Sequence, residues 1–311
     1  MSYSSFQPFS KYSSLDEYPK SFARASSISS TDIISADSMK AFVISDIHDN
    51  YKALEKSIEY IKTKKPDIIL MPGDIIDTVD GNHQKLFELI VELCSLAEVY
   101  ISLGNHDVVN NEIINGKRTE IYTDNYCFFE HLKDYCEVFN NTTTGINIGN
   151  NIELFGVTPP YSWYPNGEDK ELFQKFMQQY QFNEEHFNMV LSHSPNGFII
   201  NNQLICNEFI DLIISGHNHG GMVPQLIQDI INNGLGLFGP YAKFLFPNAY
   251  GIYENANSSL IISNGMTKVS ATNEVAFLAK ILNFFYPPNI EEIDFLPGEE
   301  KKLILNNRQR I

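Results

Sequence analysis

The sequence predicts an α/β fold built around parallel or mixed β-sheets. Short apolar runs alternate with stretches in which apolar residues recur at helical spacing, first between residues 40 and 104 and again from residue 188. Such alternation is typical of right-handed strand–helix–strand crossovers, which place consecutive strands in one sheet. Clusters rich in Asp and His follow several of the apolar runs directly. Because ligands bind at the carboxyl ends of strands in such sheets, these clusters predict one shared site.

The sequence of residues 40–104 predicts three strands and two helices. The strands are the apolar runs at residues 41–44, 67–71 and 99–103. The residues at helical spacing between them are Leu54, Ile58 and Ile61 in the first helix and Leu86, Ile90, Leu93 and Ala97 in the second.

Turn residues and shorter apolar runs predict the remaining elements. We expect helices over 122–135 and 168–180, a hairpin over 140–156, and strands over 188–191, 212–214, 251–253, 259–263 and 290–295. The last strand follows Pro287 and Pro288 and is expected at a sheet edge. A loop over 158–163 carries the single tryptophan, Trp163.

Residues 222–250 form a long apolar segment with several glycines and prolines. The favoured interpretation is a buried hairpin or loop that covers the sheet. The alternative is an exposed apolar lip that makes a peripheral membrane contact or touches an apolar leaving group.

Composition limits the number of domains and the kinds of partner. The chain has 311 residues, of which 43% are hydrophobic, enough for a sizeable core in one large domain or two. Its net charge of −16 disfavours a nucleic-acid partner, since a phosphate backbone needs a cationic surface. Arginine is scarce, so an acidic protein that handles phosphate would recruit its positive charge from metal ions.

The two ends of the chain set the expected domain boundaries. Residues 1–38 are rich in Ser and poor in aliphatic residues, which predicts a flexible arm. One domain is expected over residues 39–296, followed by a charged, mobile tail over residues 297–311. No apolar run reaches the roughly 18 residues of a membrane span, and the first residues lack the pattern of a signal peptide.

The four cysteines show no CxxC spacing. A disulfide between Cys127 and Cys136 is one possibility. The favoured interpretation is free, mostly buried thiols, because a chain of this size needs no covalent staples. Free thiols suit a reducing compartment, so the expected location is cytoplasmic.

Two pairs of potential metal ligands are each separated by one residue. Asp46 and His48 follow the first strand, and at an extended strand end such residues point to the same side. His217 and His219 repeat this spacing with two imidazoles, beside glycines that let the backbone approach an ion closely. A surface Asp with an incidental His remains the alternative for the first pair.

Three further motifs follow apolar runs: Gly73-Asp74, Gly104-Asn105-His106-Asp107 and Ser192-His193. Each motif alone could be turn chemistry, but that explanation is weak for the whole set. Five of the eight histidines lie in the motifs, and the other three, His83, His131 and His186, are expected at the surface. Oxygen and nitrogen ligands together suit Mn, Fe or Zn rather than thiolate-bound structural zinc.

In this order, the five motifs resemble those of the calcineurin-like metallophosphoesterase superfamily, over residues 39 to about 295. His219-Gly220-Gly221, the apolar segment after it and Pro287-Pro288 are most similar to the bacterial YkuE-like branch. The resemblance implies an α/β fold of two packed mixed β-sheets flanked by helices, a four-layer α/β/β/α sandwich with the site on loops at one end.

The resemblance also implies a role for each motif residue. A first metal ion would be held by Asp46, His48 and His219, a second by Asn105, His193 and His217, and Asp74 would bridge both. His106 would lie near the phosphate without binding metal, and Asp107 would orient it.

General chemistry agrees with these roles. Two metal ions about 3.5–4 Å apart can clamp the attacking and leaving oxygens of an in-line displacement and lower the pKa of water to about 7. Metal-bound hydroxide would then attack, and His106 would act as the acid, with the carboxylate of Asp107 favouring the imidazolium. The expected cofactors are two divalent ions, Mn first and Fe, Zn or Mg as alternatives. No covalent nucleophile is required, so Ser192 and Ser194 need no catalytic role.

The predicted activity is hydrolysis of a phosphomonoester or phosphodiester on a small-molecule or lipid-linked substrate. No arginine follows the motifs closely, and Arg118 is the nearest, which disfavours a protein phosphatase. A nuclease of the same superfamily is one alternative, and the acidic balance argues against it. A metal-binding scaffold without turnover is the other, and the presence of His106 argues against that.

Overall fold

The protein is described from a computed structural model. The described residues are 39–77, 81–114, 117–122, 126–139, 143–149, 152–159, 164, 170–200, 203–204, 209–224, 227–228, 234–240, 244–255, 257–267, 283–284, 286–296 and 302–310. The predictions of a flexible arm over 1–38 and of the conformation around Trp163 concern residues outside these ranges.

The described ranges contain five α-helices and eighteen strands, numbered here in chain order. The helices are α1 (Tyr51–Lys64), α2 (His83–Cys94), α3 (Asn105–Val108), α4 (Tyr126–Leu132) and α5 (Lys170–Met177). The strands are β1 (Met39–Val43), β2 (Ile68–Met71), β3 (Glu98–Ile101), β4 (Val109–Ile114), β5 (Lys117–Tyr122), β6 (Glu137–Val138), β7 (Ile146–Asn147), β8 (Ile152–Val157), β9 (Phe187–Ser192), β10 (Ile199–Ile200), β11 (Gln203–Leu204), β12 (Leu212–Ser215), β13 (Gly236–Phe238), β14 (Phe244–Phe246), β15 (Gly251–Glu254), β16 (Ser259–Ile262), β17 (Asn289–Leu296) and β18 (Lys302–Arg310).

Two six-stranded mixed sheets form the body of the molecule. The first has the order β18-β17-β1-β2-β3-β6, in which β1, β2, β3 and β6 run parallel and β17 is antiparallel to β1. The second has the order β15-β16-β12-β9-β8-β7, with parallel inner strands and antiparallel pairs at both edges. This is the mixed α/β architecture that the sequence predicts.

Successive side chains of a strand point to opposite faces of its sheet, so the apolar core around the two sheets consists of three clusters. One lies between the two sheets, and one lies on the outer face of each sheet. In β1, Ala41 and Val43 pack between the two sheets, against residues such as Leu212, whereas Phe42 packs on the other side with α1 and α2. On the outer face of the second sheet, Val190 packs with residues of α5. The order of layers is therefore helices, sheet, sheet and helix, as expected.

Most predicted elements occur at their expected positions, including α1, α2, the β7–β8 hairpin and the strands that precede the motifs. The helix expected over 122–135 is shorter, because residues up to Tyr122 pair with β4 and the helix begins at Tyr126.

The end of the domain corrects two predictions. Strand β17 is not an edge strand, because β1 pairs with one side of it and β18 with the other. Strand β18 lies in the segment expected to be a mobile tail. Its pairing register places Leu303 opposite Phe295 and Leu305 opposite Ile293, so apolar residues of the two strands face each other at these positions.

Burial corrects the expectation for two histidines, whereas the favoured prediction of free thiols is confirmed for Cys94 and Cys136. His83 and His131 are 2% and 9% exposed rather than at the surface, and the ring of His83 lies 6.0 Å from that of Phe128. Cys136 is a free thiol, so the possible disulfide with Cys127 is not formed. Within the described ranges, no helix combines the length and apolar character that a membrane crossing requires.

A buried carboxylate joins the two sheets. Glu291 on β17 is fully buried, and its oxygens accept hydrogen bonds from the hydroxyl of Ser263 at 2.6 Å and the backbone N–H of Asn264 at 3.1 Å. Ser263 and Asn264 directly follow β16 of the second sheet. The residues after β16 are therefore fixed against the first sheet.

We expect Glu291→Ala to lower the free energy of unfolding by about 3 kcal/mol, because it leaves a buried hydroxyl and a buried N–H without an acceptor. Urea unfolding followed by circular dichroism measures the change. Glu254→Ala, at an exposed position on β15, is the control and should stay within about 0.5 kcal/mol of the parent. Equal stability of both variants would contradict a role for this carboxylate in joining the sheets.

Candidate metal centre

The motif residues lie on loops that leave the carboxyl ends of neighbouring strands. Strands β1, β2 and β3 are adjacent and parallel, and so are β9 and β12 in the second sheet. Each of these strands ends one to four residues before one of the predicted ligands. The loops of both sheets therefore meet at the same end of the sandwich, as the sequence predicts.

Two sets of side chains converge closely enough to hold metal ions. One set is Asp46, His48 and His219, and the other is Asp74, His193 and His217. Within each set, one candidate ligand atom per residue lies within 4.8 Å of the others. His106 forms a third such set with His48 and Asp74.

The carboxylate of Asp74 lies between the two main sets. Its Oδ2 is 3.0 Å from Nε2 of His193 in one set and 3.4 Å from Nε2 of His48 in the other. In the remaining contacts, Nδ1 of His217 is 3.1 Å from Nε2 of His193, and Nε2 of His219 is 3.8 Å from Oδ1 of Asp46. This places Asp74 where a ligand shared by two ions would have to be.

Several ligand atoms are buried without a hydrogen-bond partner. They are Nε2 of His48, Oδ2 of Asp74 and Oδ1 of Asn105. Buried polar atoms of folded proteins are normally paired, and the near neighbours of Oδ2 of Asp74 are the ring nitrogens of His193 and His48, which are themselves predicted ligands. A divalent ion would satisfy them, and the mixture of carboxylate, amide and imidazole donors suits such an ion. The residues therefore fit a metal centre.

Hydrogen bonds on the far side of the rings fix which nitrogen faces the site. Nδ1 of His193 lies 2.8 Å from the carbonyl oxygen of Pro72, and Nδ1 of His219 lies 2.5 Å from the hydroxyl of Thr267. That hydroxyl donates to the carbonyl of Asp46 at 3.0 Å, so it accepts the Nδ1 proton of His219. Nε2 of both rings is then left to bind an ion, which is the usual arrangement around metal-binding histidines.

The backbone of the ligand loops is left-handed rather than extended. Asp46, His48, Asp74, His217 and His219 all have positive φ angles, between 44° and 70°. Such angles are uncommon outside glycine and cluster at functional sites, where surrounding structure holds the strain. Asp46 and His48 thus lie in one set as expected, whereas His217 and His219 lie in different sets, and the expected extended conformation is wrong for both pairs.

Asp107 holds the backbone of two motif loops. Its carboxylate accepts hydrogen bonds from the N–H groups of Gly104, Asp74, Ile75 and Ile76 at 2.8–3.0 Å. Burial and the charge of Asp74 raise the pKa of Asp107 to about 6, although the backbone hydrogen bonds lower it. These contacts give Asp107 a structural role in holding the two loops.

The carboxylate beside His106 is Asp77, which sequence reasoning missed. Its Oδ1 lies 3.1 Å from Nδ1 of His106 and 3.2 Å from Nδ1 of His48. Burial would raise the pKa of Asp77, but the hydrogen bonds and charges of these two histidines outweigh it and hold the pKa well below its usual range. The sequence feature that could have identified Asp77 is its position three residues after Asp74, in the same loop.

The site is a set of coupled titrating groups. Burial alone would lower the pKa of His48 and His193, but nearby carboxylates, Asp74 among them, outweigh it and raise both to about 9. Burial lowers the pKa of His219 to about 4, and the pKa of His217 is also lowered, by burial and the charge on His193. Without ions, protons on His48 and His193 offset the buried negative charge.

Metal binding should therefore release protons, because a raised pKa keeps His48 and His193 protonated up to about pH 9 and both must lose a proton to become ligands. We expect Mn²⁺ binding at pH 7.5 to release more than about one proton per chain and to weaken as the pH falls. Isothermal titration calorimetry in buffers of different ionisation enthalpy measures the number released. A binding enthalpy independent of the buffer at pH 7.5 would contradict the assignment.

Thr267→Val should weaken metal binding by about 10- to 100-fold, because it removes the acceptor for Nδ1 of His219 while keeping the shape of the side chain. Metal titration of the apo-protein provides the measurement. Thr63→Val is the matched control, since Thr63 is exposed on α1. Equal affinities of the two variants would show that Thr267 does not position this ligand.

Comparisons with known proteins find similar metallophosphoesterases. Metallophosphoesterase F40B5.2 of Caenorhabditis elegans is 25% identical over 189 residues, which cover 58% of this chain and 36% of that protein. The chain thus matches little more than a third of that relative's length. Metallophosphoesterase YkuE of Bacillus subtilis is 24% identical over 260 residues, which cover 78% of this chain and 77% of YkuE.

One solved structure, of an archaeal phosphodiesterase, aligns over 88% of this chain and 100% of that one, with 12% identity and a TM-score of 0.43. The family model for calcineurin-like phosphoesterases matches residues 39–221, more than half of the chain and a range that includes every predicted ligand. The chain therefore belongs to the calcineurin-like phosphoesterase family.

Proposed function

We propose that the protein is a metal-dependent phosphohydrolase that cleaves a phosphomonoester or phosphodiester. The observation that carries the proposal is the position of Asp74, whose buried and otherwise unpaired Oδ2 lies between two sets of Asp and His side chains. That arrangement fits a site for two divalent ions, and the family's general activity is phosphoester cleavage.

Seven residues would hold the ions. Asp46, His48 and His219 would hold the first, Asn105, His193 and His217 the second, and Asp74 would be shared. We propose Mn as the metal, with Fe, Zn or Mg as alternatives for the same donor set. When bound, such ions supply Lewis acidity and a water molecule of lowered pKa.

His106 is the proposed acid for the leaving group. Its side chain is about one-fifth exposed at the rim of the metal centre, so a substrate oxygen can reach it. Asp77 accepts a hydrogen bond from Nδ1, so Nε2 is the nitrogen proposed to deliver the proton. Asp77 also contacts His48, so one carboxylate positions both the acid and a metal ligand.

The overall charge and the thiols restrict the setting in which the protein acts. A net charge of −16 opposes binding of nucleic acid, which supports a small or lipid-linked phosphoester over a nuclease substrate. The placement of His106 beside Asp77 supports turnover rather than metal storage. The free thiols of Cys94 and Cys136 support a reducing, cytoplasmic setting.

We expect His106→Asn to lower kcat/KM by about 10²- to 10⁴-fold while metal content stays unchanged, because it removes the proton donor and no ligand. The loss should be larger for an alkyl phosphoester than for a p-nitrophenyl ester, since nitrophenolate leaves without a proton. Steady-state assays with added Mn²⁺ on chromogenic monoesters and diesters, together with metal analysis, measure both quantities.

Two further variants complete that experiment. Asp74→Asn should lose both metal and activity, and His186→Asn, which removes an imidazole away from the described cluster, should behave as the parent. If the parent protein were no more active than the Asp74→Asn variant, that result would contradict the proposed function. Full activity in His106→Asn on the alkyl ester would contradict the role of His106.

A further inference from the structure

Exposed apolar side chains are concentrated in the segment that follows the metal ligands. Among the described residues, seven large hydrophobic side chains are exposed, and five of them belong to this segment. They are Ile227, Leu235, Leu237, Phe238 and Leu245, with exposed fractions between 36% and 51%. We call these five residues the apolar hairpin surface. The favoured prediction of a buried hairpin is therefore wrong for its outer face.

The pairing of the hairpin explains this exposure. Strands β13 and β14 pair with each other, with Gly236 opposite Phe246 and Phe238 opposite Phe244. Phe246 turns inward and packs against Val223, Ala249 and Tyr250. Leu237 and Leu245 lie between the two pairs, opposite each other, and so share the outer face. The hairpin is thus anchored through Phe246 and presents Leu237 and Leu245 on the opposite face. Phe238 lies on the same face as Phe246 but is still 46% exposed.

The base of the hairpin rests on the turn that carries two metal ligands. A Cβ atom placed on Gly221 would lie 2.2 Å from Cα of Gly236, so the two backbones touch. Gly221 is two residues beyond His219. Asn218, between the two histidine ligands, donates a hydrogen bond to the carbonyl of Asn248 at 2.7 Å. The base of the hairpin is therefore fixed to the turn that carries His217 and His219.

Area and charge argue against a second copy of the chain as the occupant. Five side chains about two-fifths exposed offer about 400 Å², if each has about 200 Å² to cover. A stable protein interface buries about 800 Å² on each partner. Two chains of net charge −16 would also repel each other.

A lipid surface fits the same features better. Leu, Ile and Phe on an exposed element enter the boundary between headgroups and acyl chains to a shallow depth, where backbone groups still reach water. The net negative charge is repelled by anionic leaflets, so the surface should be zwitterionic. Lipid contact through residues with such modest area would be reversible.

We propose that the apolar hairpin surface inserts into a zwitterionic lipid interface and brings the metal centre to phosphoesters that carry acyl chains. This rests on the proposed phosphohydrolase activity and narrows its substrate to a lipid-linked class. In the reaction, the oxygen of water bonds to phosphorus, the bond from phosphorus to the alcohol oxygen breaks, and that oxygen takes a proton. The products are a free phosphate or phosphomonoester and an alcohol.

The test uses the full chain loaded with Mn²⁺ and phosphatidylcholine vesicles that contain a few per cent of phosphatidic acid as the probe. The triple variant Leu237→Asn, Phe238→Ser, Leu245→Asn removes the hairpin surface. The double variant Ile252→Asn, Phe284→Ser removes the other two exposed large apolar side chains among the described residues and is the control. The single variant Leu245→Asn, at the most exposed of the five positions, serves if the triple variant does not fold.

We expect the parent and the control to sediment with vesicles and the triple variant to lose at least tenfold in binding. Hydrolysis of phosphatidic acid should fall by a similar factor in the triple variant, while all proteins cleave a soluble p-nitrophenyl ester equally. Cleavage of the soluble ester without vesicle binding by the parent would overturn the inference and leave the proposed function standing.

Two other outcomes are also decisive. Hairpin-dependent vesicle binding without cleavage of any ester would support the lipid surface and contradict the proposed catalytic function. Dimerisation of the parent in analytical ultracentrifugation, abolished in the triple variant, would overturn the lipid surface in favour of contact between copies of the chain.

Discussion

The buried carboxylate of Asp74 is the charge on which the arrangement of the site depends. Burial opposes an ionised carboxyl group, so it must be offset by positive charge within a few ångströms. His48 and His193 approach its Oδ2 from opposite sets of ligands, at 3.4 Å and 3.0 Å. Their charges, with that of His106, outweigh burial and hold the pKa of Asp74 well below its usual range. Protons can supply the positive charge in the absence of ions, and divalent ions can replace them.

The loops reach this carboxylate only because their backbones take uncommon paths. A Cβ on Gly104 would lie 2.2 Å from Oδ1 of Asp74, so glycine is required there. The left-handed conformations of the five ligand residues then turn side chains from both sheets toward one point. Asp107 stabilises two of these loops through their backbone N–H groups, and Glu291 fixes the residues after β16. The fold thus supplies both the convergence and the support that strained loops need.

The sequence was sufficient for the order of elements, the two-sheet architecture and the convergence of six Asp and His side chains, because apolar periodicity and strand-end motifs are local signals. It was insufficient where partners are distant along the chain. Asp77 gains its role through contacts with His48 and His106, and Thr267 through one with His219. Likewise, β18 is evident as a strand only from its pairing with β17. The charged residues of the C-terminal segment led to the prediction of a mobile tail, although Leu303 and Leu305 lie within it. The exposure of Leu237 and Leu245 depends on which face of the hairpin packs, which composition does not specify.

The most direct test of the two-ion centre is anomalous X-ray scattering from crystals of the protein grown with Mn²⁺. We expect two anomalous peaks about 3.5–4 Å apart, with the carboxylate of Asp74 between them and Asp46, His48 and His219 around one peak. Asn105, His193 and His217 should surround the other. A single peak, or two peaks that do not share Asp74, would contradict the central claim that this carboxylate joins two ions.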